Sequence, residues 1–217
     1  MKESEFLAIT SKLPAFSVSE VSRFFSTDKY ARLFLARLKK KDLVKKLSYG
    51  IYTSQSDPFV YCTHVVYPSY ISAWSALQFY GLTTQIPEII TVMSPKKISI
   101  DGIQFVQSKY LWGFSRVPYS GFDIFMANAE KAILDAIAYD LIPIAEVSSV
   151  LIQLNQKKLE EYAMKYGKKI SRILGFIMDQ KGMNPGRIRR YISSDRNYVT
   201  VKFPVGENKW GLKFDRS

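Results

Sequence analysis

The chain has 217 residues, 47 % of them apolar, which is long enough for two modest domains and too rich in core-forming residues for a disordered protein. Its 31 Lys and Arg against 19 Asp and Glu leave a net charge of +12, which points to an anionic partner: nucleic acid, an acidic protein or, least of the three, a membrane surface. One cysteine, Cys62, and one histidine, His64, exclude a disulfide framework and a Cys/His metal site, and also a Ser-His-Asp triad unless His64 serves it.

The first residues, MKESEFLAIT, carry Glu3 and Glu5 where a secretion signal would be basic and then apolar. Charges and turn residues break every apolar run, so a soluble, cytoplasmic chain without a membrane segment is expected. Phe6, Ile9 and Leu13 have helical spacing, with Pro14 as a stop, and predict a first helix over 1–13. Ser17 and Glu20 have the spacing of a capping box, so a short second helix should begin at Val18 and end near Phe25. Ser26-Thr27-Asp28 favours a turn and a new cap.

A third helix then starts near Asp28. Ala31, Phe34, Leu35 and Leu38 form its buried stripe, and Lys29, Arg32, Ala36, Arg37 and Lys40 fall on the other side. The run Val44 to Thr53 reads as two short strands about Gly50. Two helices joined by a short turn, followed by a hairpin, predict a winged helix-turn-helix over 1–54, whose third helix would enter a DNA major groove.

From Asp28 to Tyr49, Lys29, Arg32, Arg37, Lys39, Lys40, Lys41, Lys45 and Lys46 stand against only Asp28 and Asp42. Such a cluster gives sequence-independent affinity for phosphates that weakens steeply with salt. The expected DNA contacts are Lys29, Arg32, Arg37 and Lys40 on the helix, Lys45, Lys46 and Tyr49 on the wing, and Tyr30 and Leu33 where they could touch base edges. Tyr30 and Leu33 could equally pack in the core, and the lysines could be a solvated face on a fold used for protein contact.

Ser54 to Pro58 is a polar, turn-rich boundary, after which 58–217 should form a mixed domain. Phe59 to Tyr67 could be a strand or the lead-in to a helix. A helix is expected from Ser69 to Gly81, with Tyr70, Ala73, Trp74 and Leu77 inward. Strands follow at 89–93, 98–100, 103–107 and 122–126, with Asp101-Gly102 as a hairpin turn in a largely antiparallel sheet. Ala129, Ala132, Ile133, Ala136 and Ile137 form the packing face of a helix ending near Asp140. A helical subregion over 143–183 should break near Gly167, and an Arg-rich turn should precede strands within 198–214. The expected class is α+β: a winged helix-turn-helix, then a small antiparallel sheet and packed helices.

The segment 151–196 carries a second, more dispersed excess of cations, among them Lys157, Lys158, Lys165, Lys168, Lys169, Arg172, Arg187, Arg189 and Arg190. This is a candidate surface for an acidic partner or a second phosphate-contacting face, or simply a helix exterior. No phosphate-binding glycine motif occurs. Glu130 and Asp135 lie about 140° apart around one helix at about 100° per residue and would not converge on a metal by themselves. No catalytic residue, metal or cofactor is expected, and the tyrosines and phenylalanines suit core or homodimer contact.

Leu47-Ser48-Tyr49-Gly50-Ile51-Tyr52, then Tyr70-Ile71-Ser72, Ser75-Ala76-Leu77 and Gly81 to Pro87, and finally Ala127 to Asp135 with Glu130-Lys131-Ala132-Ile133-Leu134-Asp135, occur in an informative order. Together they resemble the AbiEi antitoxins of abortive-infection (type IV) toxin-antitoxin systems and their winged-helix relatives. Tyr49 stands where that family commonly has a basic residue, and Tyr80 where it often has histidine. The resemblance, over about residues 1 to 140, implies an N-terminal domain that binds the promoter of its own operon. It also implies a C-terminal domain that counteracts a nucleotidyltransferase-like toxin. The alternative is a protein-interaction module that engages an acidic toxin through the basic C-terminal half, with no specific DNA role.

Overall fold

Ser17 and Glu20 close the expected capping box: the Glu20 carboxylate accepts from Ser17 N at 2.6 Å, and Ser17 Oγ accepts from Glu20 N at 3.2 Å. The computed structural model describes residues 2–206 and 208–215. Its class is α+β, and it divides into two compact units. Residues up to Ile71 with Pro87–Met126 form the first, and Ser72–Ile86 with the chain from Ala127 form the second. Ser54–Pro58 lies inside the first unit.

The first unit begins with α1 (Glu3–Thr10), β1 (Phe16–Ser17), α2 (Val18–Ser22), α3 (Asp28–Lys40), β2 (Lys45–Ser48) and β3 (Ile51–Thr53). Phe6 of α1 packs edge-on to Phe16 and Phe34, with ring centroids 5.6 and 5.1 Å away. Val18, Val21, Ala31, Leu35, Leu38 and Val44 complete this core. Aromatic pairs in this geometry add attraction beyond area burial. Ile9 and Leu13 are exposed, contrary to the predicted stripe. The helix ends at Thr10, and the face turned to Phe16 and Phe34 carries Phe6 and Thr10. The hairpin is a three-stranded antiparallel sheet of order β1-β3-β2, since Phe16 pairs with Tyr52. The two-residue strand β1 is too short to show alternation.

The segment Phe59 to Tyr67 is helical where it is regular: α4 (Pro58–Tyr61) runs into a 3₁₀ turn, Cys62–His64. Then come β4 (Tyr70–Ile71), β5 (Ile90–Ser94), β6 (Ser99–Ile100), β7 (Ile103–Gln107), β8 (Phe114–Tyr119) and β9 (Phe122–Ala127), in sheet order β6-β7-β5-β4-β9-β8. Asp101-Gly102 turns the β6–β7 hairpin as expected, with Gly102 at φ +76°. The sheet also contains parallel pairs, β5 with β7 and β4 with β9. Every residue of β5 is buried, as suits a strand covered on both faces. Tyr70, expected on a helix, lies in β4 opposite Met93. Its helix-like spacing to Ala73 and Trp74 is overridden by strand pairing.

The second unit contains α5 (Ala73–Phe79), α6 (Ala129–Tyr139), α7 (Ile144–Val150), α8 (Gln156–Tyr166), α9 (Lys168–Gln180), α10 (Gly186–Ile192), β10 (Val199–Val201) and β11 (Leu212–Phe214). Gly81, at φ +68°, ends α5: Leu82 N donates to Leu77 O and Gly81 N to Gln78 O, satisfying carbonyls that the helix leaves open. The predicted break falls at Gly167, φ +108°, between α8 and α9. The segment 143–183 holds three helices and a 3₁₀ turn where two helices were expected, and the expected Arg-rich turn is α10. No helix of the described residues is long and apolar enough to cross a membrane.

Candidate nucleic-acid interface

Thr27 caps α3 by accepting from Tyr30 N at 3.4 Å, and Ala31, Leu35 and Leu38 anchor its inner side in the core. With those three fixed, the 3.6-residue period forces Lys29, Arg32, Arg37 and Lys40 outward, and all four are exposed. Tyr30 and Leu33 are 58 % and 48 % exposed, so they belong to this outer surface and not to the core. Among the described residues none of these four cations is in an ion pair. By contrast Lys41 is bound to Glu3 at 2.8 Å, fastening the end of α3 to α1.

The hairpin adds to the same unit. A bulge between Lys46 and Ser48 interrupts alternation on β2, an edge strand. Lys45 and Lys46 are both exposed while Leu47 turns inward. Tyr49 at the turn is 87 % exposed, and Gly50 takes φ +73°, a conformation that costs glycine little. Gly50 O accepts from Val18 N at 2.9 Å, which ties the turn to the start of α2. Thr53 Oγ1 donates to Pro14 O at 2.7 Å, holding β3 against the chain that leads into β1.

The cations of the second unit are used differently. Arg172 is 3 % exposed, so its assignment to a partner surface is corrected. Its guanidinium donates to Trp210 O at 2.6 Å and Asp195 O at 2.7 Å, inside the unit. Lys158 pairs with Glu130 at 2.8 Å, Lys168 with Asp195 at 3.6 Å and Arg189 with Asp179 at 2.5 Å. Arg187 reaches Lys157 O at 3.4 Å. Lys157, Lys165, Lys169 and Arg190 remain exposed. Burial alone would raise the Asp179 carboxyl, but hydrogen bonds from Lys209, Trp210 and Arg189 outweigh it and hold the group below the usual carboxylate range.

Glu130 and Asp135 do not share a site. Glu130 faces Lys158 and accepts from Asn155 N at 3.4 Å, whereas Asp135 is fully buried with Lys131 at 2.6 Å and Ser72 Oγ at 2.8 Å. The Tyr166 hydroxyl bonds both Lys131 and Asp135. Sequence reasoning missed this network, although a Lys and an Asp four apart in an apolar helix were a legible sign. His64 is half-buried, with Nε2 2.8 Å from Asp123 O. Cys62 is buried, and burial pushes its thiol above its ordinary range. No cluster of three metal-ligating side chains occurs among the described residues.

Compared with models of known protein families, the chain matches none, and no curated protein matches it.

Proposed function

We propose that the protein is a transcriptional regulator that binds double-stranded DNA, its own promoter included, through a winged helix-turn-helix formed by α2, α3 and the β2–β3 wing. The observation that carries the reading is the set Lys29, Arg32, Arg37, Lys40, Lys45 and Lys46. All are exposed within one compact unit, and none is taken up by a carboxylate of the described residues. In the second unit, by comparison, Lys158, Lys168, Arg172 and Arg189 are neutralised internally. Cations held outward on a pinned helix suit phosphates and base edges, and the exposed Tyr30 and Leu33 lie between them in sequence.

The reading extends to an autoregulating, antitoxin-like protein of a type IV toxin-antitoxin operon. What supports this part is the resemblance of the segments at 47–52, 70–87 and 127–135 to the AbiEi antitoxins. Its partner would then be a nucleotidyltransferase-like toxin, with DNA as the second partner and no catalytic role for the chain itself.

Fluorescence anisotropy with the chain's own promoter fragment tests the DNA reading. Six phosphate contacts would give a slope of log K against log salt of about −5. Arg32→Ala with Arg37→Ala should flatten that slope by about 2 and weaken binding, with the circular dichroism spectrum unchanged. Promoter affinity that does not move with these changes ends the proposal. Co-expression with the neighbouring gene's product tests the antitoxin part separately: rescue of growth supports it, and toxicity that persists removes it.

A further inference from the structure

The wing's outer strand β2 and the strand β6 are edges of different sheets of the first unit, and their Cα atoms approach within 8 Å of each other. Beside them lies a cleft of about 330 Å³ whose cations are Lys39, at the end of α3, and Lys45 and Lys46 on the wing. Ser99, Ile100 and Asp101 line it from β6 and the turn that follows. Its carboxylates are Asp42 and Asp101, and among the described residues neither these two nor the three lysines form an ion pair. The wing's cations therefore continue, unneutralised, up to the neighbouring sheet.

The loop that leads into β6 adds two more. Lys96 and Lys97 are exposed, and among the described residues neither is in an ion pair. Lys97 stands two residues before Ser99, so its backbone is within about 7 Å of the cleft lining. The loop is fastened: Ser94 Oγ donates to Lys96 O at 2.5 Å, and Gln107 Nε2 donates to Pro95 O at 3.2 Å. Ammonium groups presented from a fixed backbone lose less freedom on gripping a partner. Lysines on a strand edge also deter edge-to-edge pairing, but Lys96 and Lys97 precede β6 and have no strand edge to protect. Five ammonium groups against two carboxylates, spread from the wing onto the next sheet, match an extended polyanion. B-DNA is one, with a charge about every 1.7 Å of its axis. We propose, on the basis of the DNA-binding reading, that the β5–β6 loop is a second wing, with Lys96 and Lys97 gripping duplex phosphates beyond those met by α3 and β2.

The test is the salt dependence of promoter binding by the full chain, followed by fluorescence anisotropy. Two further phosphate contacts should steepen the wild-type slope of log K against log salt from about −5 to about −7. Lys96→Gln with Lys97→Gln should flatten it by about 2. The circular dichroism spectrum should not change, because both side chains are exposed. Lys12→Gln with Lys181→Gln removes the same charge from two other exposed lysines and should leave the slope in place. A wild-type slope in the K96Q/K97Q chain, or an equal flattening by both pairs, overturns the second wing. If Arg32→Ala with Arg37→Ala still weakens binding in that case, the DNA reading stands without it. No promoter binding by the wild-type chain ends both.

Discussion

Lys131 and Asp135 are both fully buried, one turn apart on α6, with their charged atoms 2.6 Å from each other. Desolvation pulls the Lys131 ammonium down to about 8, against the opposing attraction of Asp135. Removing one member of such a pair leaves the other charge in a medium that cannot solvate it. Lys131→Met should therefore cost about 3–5 kcal/mol in chemical denaturation. Lys131→Met with Asp135→Asn should recover most of that loss, because the asparagine oxygen still accepts from Ser72. A single variant no worse than the double would mean that the pair is not held as a unit.

At the scale of elements, α9 shows how one missing side chain sets a packing arrangement. A Cβ on Gly175 would lie 2.2 Å from the Trp210 ring, and Trp210 is held beside it by its indole N–H, which donates to Asp179 at 2.6 Å. The ring cannot retreat without giving up that bond. Gly175→Ala, which on an isolated helix would be stabilising, should here destabilise by about 1–3 kcal/mol through overpacking. Thermal melting decides the sign: a raised Tm would show that the tryptophan has room to move. The α3 helix makes the complementary point, since Leu35 and Leu38 fix its rotation and so decide that Arg32 and Arg37 face outward.

Over the whole molecule, a net charge of +12 makes acid an adverse condition, because each protonated carboxylate adds to an existing repulsion. Asp179 gathers Arg189, Lys209 and Trp210, and Asp195 gathers Lys168 and Arg172. Both carboxyls are held below the ordinary range, Asp195 first by the Asn197 amide and then by Arg172 and Lys168. In the folded state these groups bind protons less tightly than when unfolded. Their contribution is therefore complete above about pH 4 and is lost as pH falls through the lower folded values. The stability difference between the wild-type chain and Asp179→Asn should be largest near neutrality and shrink in strong acid. Denaturation midpoints at pH 7 and pH 3 measure it, and a difference that grows in acid would contradict the assigned role.

Local signals were legible wherever chemistry and geometry coincide within a few residues. Ser17 and Glu20 announce a helix start, Gly50, Gly81 and Gly167 mark reversals or ends, and Asp101-Gly102 marks a hairpin. Ala31, Leu35 and Leu38 declare the inner side of α3, and with it the outward direction of its cations. The sequence by itself determined these, along with the α+β class and the positive balance, because capping, turn chemistry and helical period act over one or two turns of chain. What only the tertiary structure decided was fate after long-range pairing. Tyr70 became a strand residue opposite Met93, Phe16 became part of a third strand beside the β2–β3 hairpin, and β5 entered parallel pairing with β7. Arg172 left the surface for the Trp210 carbonyl, and Lys131 was drawn into the core by Asp135. Those outcomes depend on partners far away in sequence, and the free energy of burying a charge or pairing a strand is set by which partner arrives, a quantity that no local pattern contains.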